Sequence, residues 1–139
     1  MKTGPKRKLS DDWPHVRLRI DFSGACAVGP GKIALLEAIG RLGSLSLAGR
    51  DLGMSYRRAW LLLSDLNNSF EMPVVTTAVG GVRGGGAQVT GFGQALVRGF
   101  RDLEIATQKL ADRHLRAIRV VQDKRAVARP RRLSRKSRS

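Results

Sequence analysis

The chain has 139 residues, enough for one modest domain with tails, and 42% of them are hydrophobic, enough for one core. No apolar run approaches the ~20 residues of a membrane span, the start lacks the apolar stretch of a secretory signal, and the single cysteine, Cys26, excludes an intrachain disulfide and a cysteine-cluster metal site. A net charge of +15 points instead to nucleic acid, with no membrane partner and a cytoplasmic, nucleoid-associated location.

The charge is concentrated at the ends. Residues 1–10 carry Lys2, Lys6, Arg7 and Lys8 without an acid, and residues 124–139 carry Lys124, Arg125, Arg129, Arg131, Arg132, Arg135, Lys136 and Arg138, again without an acid. Acid-free basic segments of this kind are usually solvated tails that touch nucleic acid. Residues 1–15 therefore read as a flexible basic arm and residues 124–139 as a basic tail. Between them lie a DNA-binding unit over 16–90 and a long helix over 91–123.

Residues 16–22 alternate apolar and polar side chains, the pattern of a half-buried strand with Val16, Leu18, Ile20 and Phe22 inward. Residues 23–31, rich in Gly and Ala, read as a loop. Residues 32–42 read as a helix burying Ile33, Leu36, Ala38 and Ile39, with Leu35 and Leu42 on its flanks. Pro30 suits its beginning and Gly43 its end.

Two short helices follow. Ser44 caps the first, Leu45, Ala48 and Leu52 recur at helical spacing, and Gly53 stands where a left-handed residue ends a helix. Ser55 caps the second, which buries Ala59, Leu62, Leu63, Leu66 and Phe70. Its opposite face carries Tyr56, Arg57, Leu61, Ser64 and Asn68, with Arg58 on the flank. Helix, glycine turn and basic-started helix form the helix-turn-helix pattern, in which the start of the second helix meets base edges in the major groove. The competing reading of this stretch is a plain helical hairpin. Trp60 is expected in the core or as a helix spacer, and Asp65 is expected to pair with an arginine.

Met72-Pro73 breaks the chain. Residues 74–79 are strand-like, residues 80–86 are glycine-rich, and residues 87–90 form a second short strand, together a hairpin wing. The glycines allow close approach to a phosphate, and Arg83 can reach a phosphate or the minor groove. A nucleotide-binding phosphate loop is excluded, because no Gly-Lys-Ser/Thr leads into a helix. Thr90 caps the last helix, whose Leu96, Phe100, Leu103, Thr107, Leu110, His114, Ala117 and Val121 step by four and three, the seam of a paired helix. Carried to residue 121, it spans about 45 Å. A homodimer joined through Leu96, Phe100, Leu103 and Leu110 follows as the expectation, the alternative being a helix that folds back on its own domain.

Several of these stretches, taken in order, resemble the N-terminal DNA-binding domain of the ModE family. They are Pro30-Gly31-Lys32-Ile33-Ala34-Leu35-Leu36, Gly43-Ser44-Leu45-Ser46, Leu52-Gly53-Met54-Ser55-Tyr56-Arg57-Arg58-Ala59-Trp60, Leu66-Asn67, and Gly86-Ala87-Gln88-Val89-Thr90-Gly91-Phe92-Gly93 after the glycine-rich tip. That family comprises molybdate-responsive transcription regulators with a winged helix-turn-helix similar to that of LysR-type regulators. The resemblance covers about residues 16–110. It implies a dimer reading a palindromic site in double-stranded DNA, with Ser55, Tyr56, Arg57 and Arg58 at the start of the recognition helix. Full-length family members carry C-terminal molybdate-binding domains. Here the long helix is followed only by a short basic tail, which implies a single-domain member. Molybdate sensing is therefore not carried over, and no residue marks a site for molybdate or another oxyanion.

The fold class expected is thus α+β, mostly α: a winged helix-turn-helix with a long C-terminal dimerisation helix. The candidate DNA-binding residues are Ser44, Ser46, Ser55, Tyr56, Arg57, Arg58, Ser64 and Arg83. Arg57 and Arg58 are the candidates for guanine, since a guanidinium can bond two acceptors on one guanine edge. Ser44, Ser46 and Tyr56 suit phosphates near positive helix ends. No nucleophile–base pair, paired carboxylates or metal cluster is present to support an enzyme. His15 and His114 lie too far apart for a zinc motif, and no cofactor is called for. The alternative function is a nonspecific nucleoid-type protein that coats DNA through its basic tails.

Overall fold

The computed structural model describes residues 14–78 and 86–118. In chain order its elements are β1 (Ile20–Ser23), β2 (Cys26–Val28), α1 (Pro30–Leu42), α2 (Leu45–Asp51), α3 (Tyr56–Ser69), β3 (Val75–Thr77), β4 (Ala87–Val89) and α4 (Gly91–Leu115). Among the described residues the strands pair as neighbours, β1 with β2 and β3 with β4, both antiparallel. This is the mostly helical α+β arrangement expected. The basic arm up to residue 13, the glycine-rich stretch at 79–85 with Arg83, residues 119–123 expected to continue the last helix, and the basic tail lie outside the described residues.

α1 is the central element. Pro30 occupies its first turn, and Ile33, Leu35, Leu36, Ala38 and Ile39 are completely buried. Leu35 is core, not flank as expected, because α1 is covered on several sides: α2 and α3 pack on it, and so do β2, β4 and α4. Leu42, at the helix end, is exposed. Gly43 stops the helix at φ 66°, a left-handed backbone, and its N–H donates to Ile39 O at 2.8 Å. The Gly43 carbonyl then accepts from Ala87 N at 2.9 Å, tying the turn to β4.

The N-terminal hairpin departs from the expected strand and loop. The strand is limited to Ile20–Ser23, and the segment read as a loop contains β2, whose Cys26 and Val28 sink into the interior. Val16, Leu18 and Ile20 are half-buried, as the alternation predicts. Phe22 is not: a register shift between Asp21 and Ser23 breaks the period, leaving it 54% exposed. Its ring meets Phe70 edge-on at 5.3 Å, and Phe70 meets Phe92 at 5.5 Å.

α4 begins at a double anchor. Thr90 Oγ1 accepts from Gly93 N at 3.0 Å and donates to Pro73 O at 2.7 Å. The first half of α4 packs on its own domain: Phe100 is 4% exposed within the core and Leu96 packs against it. Arg101 bonds Glu37 of α1 and Glu104 one turn on, and the two carboxylates hold its guanidinium pKa above its already high value. Farther along, Gln108 Oε1 accepts from Val16 N at 2.9 Å. Its Nε2 donates to Pro14 O at 2.6 Å and to Asp112 Oδ1 at 3.1 Å, so the segment before β1 is laid on α4. The helix ends at Leu115, short of the expected residue 121, and its 25 residues span about 37 Å. Arg116 and Ala117 form a turn, with the Arg116 N–H still donating to Asp112 O.

Candidate nucleic-acid interface

The helix pair α2–α3 is built from caps and small residues. Ser44 Oγ accepts from Leu47 N at 3.2 Å and Ser55 Oγ from Arg58 N at 3.1 Å, satisfying orphan donors at both helix starts. Gly53, at φ 68°, makes the turn between them, and Met54 N donates to Gly49 O at 2.9 Å. Gly49 lets the helices close: a Cβ there would stand 3.0 Å from the Ala59 Cβ. The Ala59, Leu63 and Leu66 side chains then lock α3 into the core.

Successive helical residues turn by about 100°, so that buried stripe leaves Arg57, Leu61, Ser64 and Asn68 pointing away from the domain. Tyr56, Arg57, Arg58, Leu61 and Asn68 are exposed, as are Ser46 on α2 and the capping Ser55; Ser44 and Ser64 are half-buried. Among the described residues no acid pairs with the side chain of Arg57 or Arg58, whereas Arg19, Arg41 and Arg101 are each held by a carboxylate. Two guanidinium groups without an acidic partner among the described residues thus stand on the first turn of a helix whose N-terminal N–H groups add positive potential.

Two neighbours of this face differ from expectation. Trp60 is 51% exposed and is not core. Ala59, Leu63 and Leu66 already fill the inward stripe, and one residue on from Ala59 the helix has turned Trp60 outward, between Tyr56 and Ser64. Asp65 pairs with Lys32 of α1, not with an arginine. Lys32 Nζ also donates to Ala27 O at 2.7 Å, so this cation is anchored in place and reaches Asp65 from the first turn of α1.

A residue with no assigned role positions the hairpin against α3. Asn67 Oδ1 accepts from Val74 N at 2.9 Å and Val75 N at 3.3 Å, and its Nδ2 donates to Val75 O at 3.1 Å. The available signal was an amide on the helix face next to the hydrophobic one, shortly before a Val-Val strand. On the other seam, Leu103 and Leu110 are exposed, whereas Phe100 and Leu96 are engaged by their own domain. No group of three or more His, Cys, Asp or Glu able to hold a metal occurs among the described residues, and no helix among them is long and apolar enough to cross a membrane.

A capped helix pair on a third central helix, followed by a β-hairpin and a long helix, defines a winged helix-turn-helix protein. No protein-family model matches the chain. It is 49% identical over 92 residues to the molybdenum-pterin-binding protein MopA of Rhodobacter capsulatus, covering 66% of this chain and 35% of that one. It is 38% identical over 97 residues to the molybdenum transport protein ModE of Azotobacter vinelandii, 70% of this chain and 36% of the other. It is 39% identical over 83 residues to the DNA-binding transcriptional dual regulator ModE of Escherichia coli K12, 60% and 32%. The chain thus spans about a third of the length of these curated relatives. Over the stretch it shares with them, the chain is a homologue of the ModE and Mop proteins.

Proposed function

We propose that this protein is a sequence-specific DNA-binding transcriptional regulator concerned with molybdenum, acting as a homodimer on a palindromic site. The observation that carries the reading is the pair of exposed arginines, Arg57 and Arg58, without an acidic partner among the described residues, at the capped start of an outward-facing helix. The relative in Escherichia coli is a DNA-binding transcriptional regulator by name, and the other two are named for molybdenum. α3 enters the major groove with Arg57, at the centre of the outward stripe, on a guanine edge. Arg58, on the flank, takes a phosphate, and Ser44, Ser46 and Tyr56 take phosphates around it. Ser55 holds the helix start, and Ser64 faces the groove one turn past Trp60. Arg83 completes the contact set from the hairpin tip.

The test is selection from a random duplex library by the full chain, followed by affinity for the selected duplex against a scrambled one at about 150 mM salt. A gap of roughly 10³-fold or more is expected of a sequence reader. Equal affinities would favour the coating protein acting through its basic tails. Within the selected site, Arg57→Ala is expected to cost about 1–3 kcal/mol and to relax preference at one base pair. An equal loss on scrambled DNA would remove the base-reading role.

The homodimer forms through the distal half of α4, because the proximal seam residues Leu96 and Phe100 are used internally. Leu103 and Leu110 lie seven residues apart, which is two turns of one face, and both are exposed. Placing aspartate at both positions is expected to convert a sedimenting dimer to monomer without a change in helical content. A wild-type chain that sediments as a monomer at micromolar concentration would defeat this part.

A further inference from the structure

The outward stripe of α3 is not uniformly polar. Leu61 is 50% exposed and lies four residues after Arg57, while Trp60 beside it and Leu47 on α2 are also exposed. A lone exposed leucine needs no explanation. This one sits at the centre of the face that carries Arg57, Ser64 and Asn68, on the helix otherwise best placed to read bases. A leucine offers a groove no hydrogen bond, so a neighbouring amino or carbonyl group on a base edge would lose its water to it without return. The one apolar group on the major-groove edge of a base pair is the thymine 5-methyl.

We infer that Leu61 is a specificity-determining residue that takes a thymine 5-methyl group, one to two base pairs from the guanine taken by Arg57. The spacing follows from the helix. Four residues advance about 6 Å along the axis, against about 3.4 Å between successive base pairs, and the two side chains differ by only about 40° in direction. The inference rests on the proposed DNA-reading function and deepens it, since it adds an apolar contact to a site otherwise described by charge.

The probes are duplexes selected by the full wild-type chain and the same duplexes with single thymidines replaced by deoxyuridine, which removes only the methyl. For the wild type, one such replacement is expected to raise Kd roughly fourfold, the worth of one buried methyl-sized group. It should fall one or two base pairs from the position at which Arg57→Ala relaxes preference. In Leu61→Ala that replacement should leave Kd unchanged. Since Leu61 is exposed, the variant should keep its fold, and an unaltered circular-dichroism melt checks this. If a site is selected but each deoxyuridine acts equally on wild type and variant, the inference fails and the DNA-reading function stands. If no duplex is enriched, the DNA-reading function itself fails.

Discussion

Gly93→Ala is expected to destabilise the protein by about 2–3 kcal/mol, although alanine is the better helix former by about 1 kcal/mol. Gly93 is buried in the first turn of α4, directly under the hairpin. A Cβ there would overlap the Val74 carbonyl oxygen and the Val89 Cγ1. The side chain of Val89 can turn, but the carbonyl cannot easily withdraw. It accepts from Thr90 N at 2.9 Å, and Val74 itself is completely buried. Gly99 on the same helix supplies the control, because a Cβ there meets nothing within 4 Å. Gly99→Ala should therefore stabilise by up to about 1 kcal/mol. Urea unfolding of the two variants separates close packing from helix propensity by sign. A Gly93→Ala protein as stable as the wild type would mean that the hairpin does not press on α4 as described.

The features legible in the sequence were those fixed by local chemistry. Ser44, Ser55 and Thr90 cap the helices they were expected to cap, because a hydroxyl before an apolar-periodic run has few other uses. Gly43 and Gly53 take the left-handed backbone that ends a helix. The exposed start of α3 followed from the same periodicity. What was misread depends on partners distant in sequence. Cys26 and Val28 belong to a strand because Ser23 and Ile20 lie opposite, and glycines around a short apolar run otherwise look like a loop. Leu35 is central because β4 and α4, fifty or more residues on, cover a side of α1 that periodicity alone leaves on the flank. The heptad-like series in α4 is a single pattern in sequence but two surfaces in space. Phe100 serves its own core, Leu103 does not, and periodicity cannot tell which partner fills a seam. Lys32 takes Asp65 in place of an arginine because β2 and the start of α1 bring its ammonium to Ala27 O, a position no local rule specifies.

Asn67→Ala is expected to cost about 3 kcal/mol, and the reason lies in the geometry of an edge strand. In an antiparallel pair alternate residues turn their N–H and C=O away from the partner. Among the described residues β3 pairs only with β4, so on its other side the backbone groups of Val75 need partners, and Val74 and Val75 are buried where water cannot supply them. A side-chain amide carries both a donor and acceptors. Asn67 uses both kinds, bonding Val75 N, Val75 O and Val74 N, and so acts as a short substitute strand projecting from α3. Alanine would strand three buried backbone groups, at roughly 1–3 kcal/mol each before relaxation. Asn67→Asp keeps the acceptor for the two N–H groups and loses the donor to Val75 O. It should lie between alanine and wild type at neutral pH. The same clamp fixes the hairpin relative to the helix carrying Arg57. In amide hydrogen exchange the Val74 and Val75 N–H groups should lose protection in Asn67→Ala well before the buried amides of α1. Uniform loss across both would assign the cost to the core instead, and would sever the link between this asparagine and the placing of the wing.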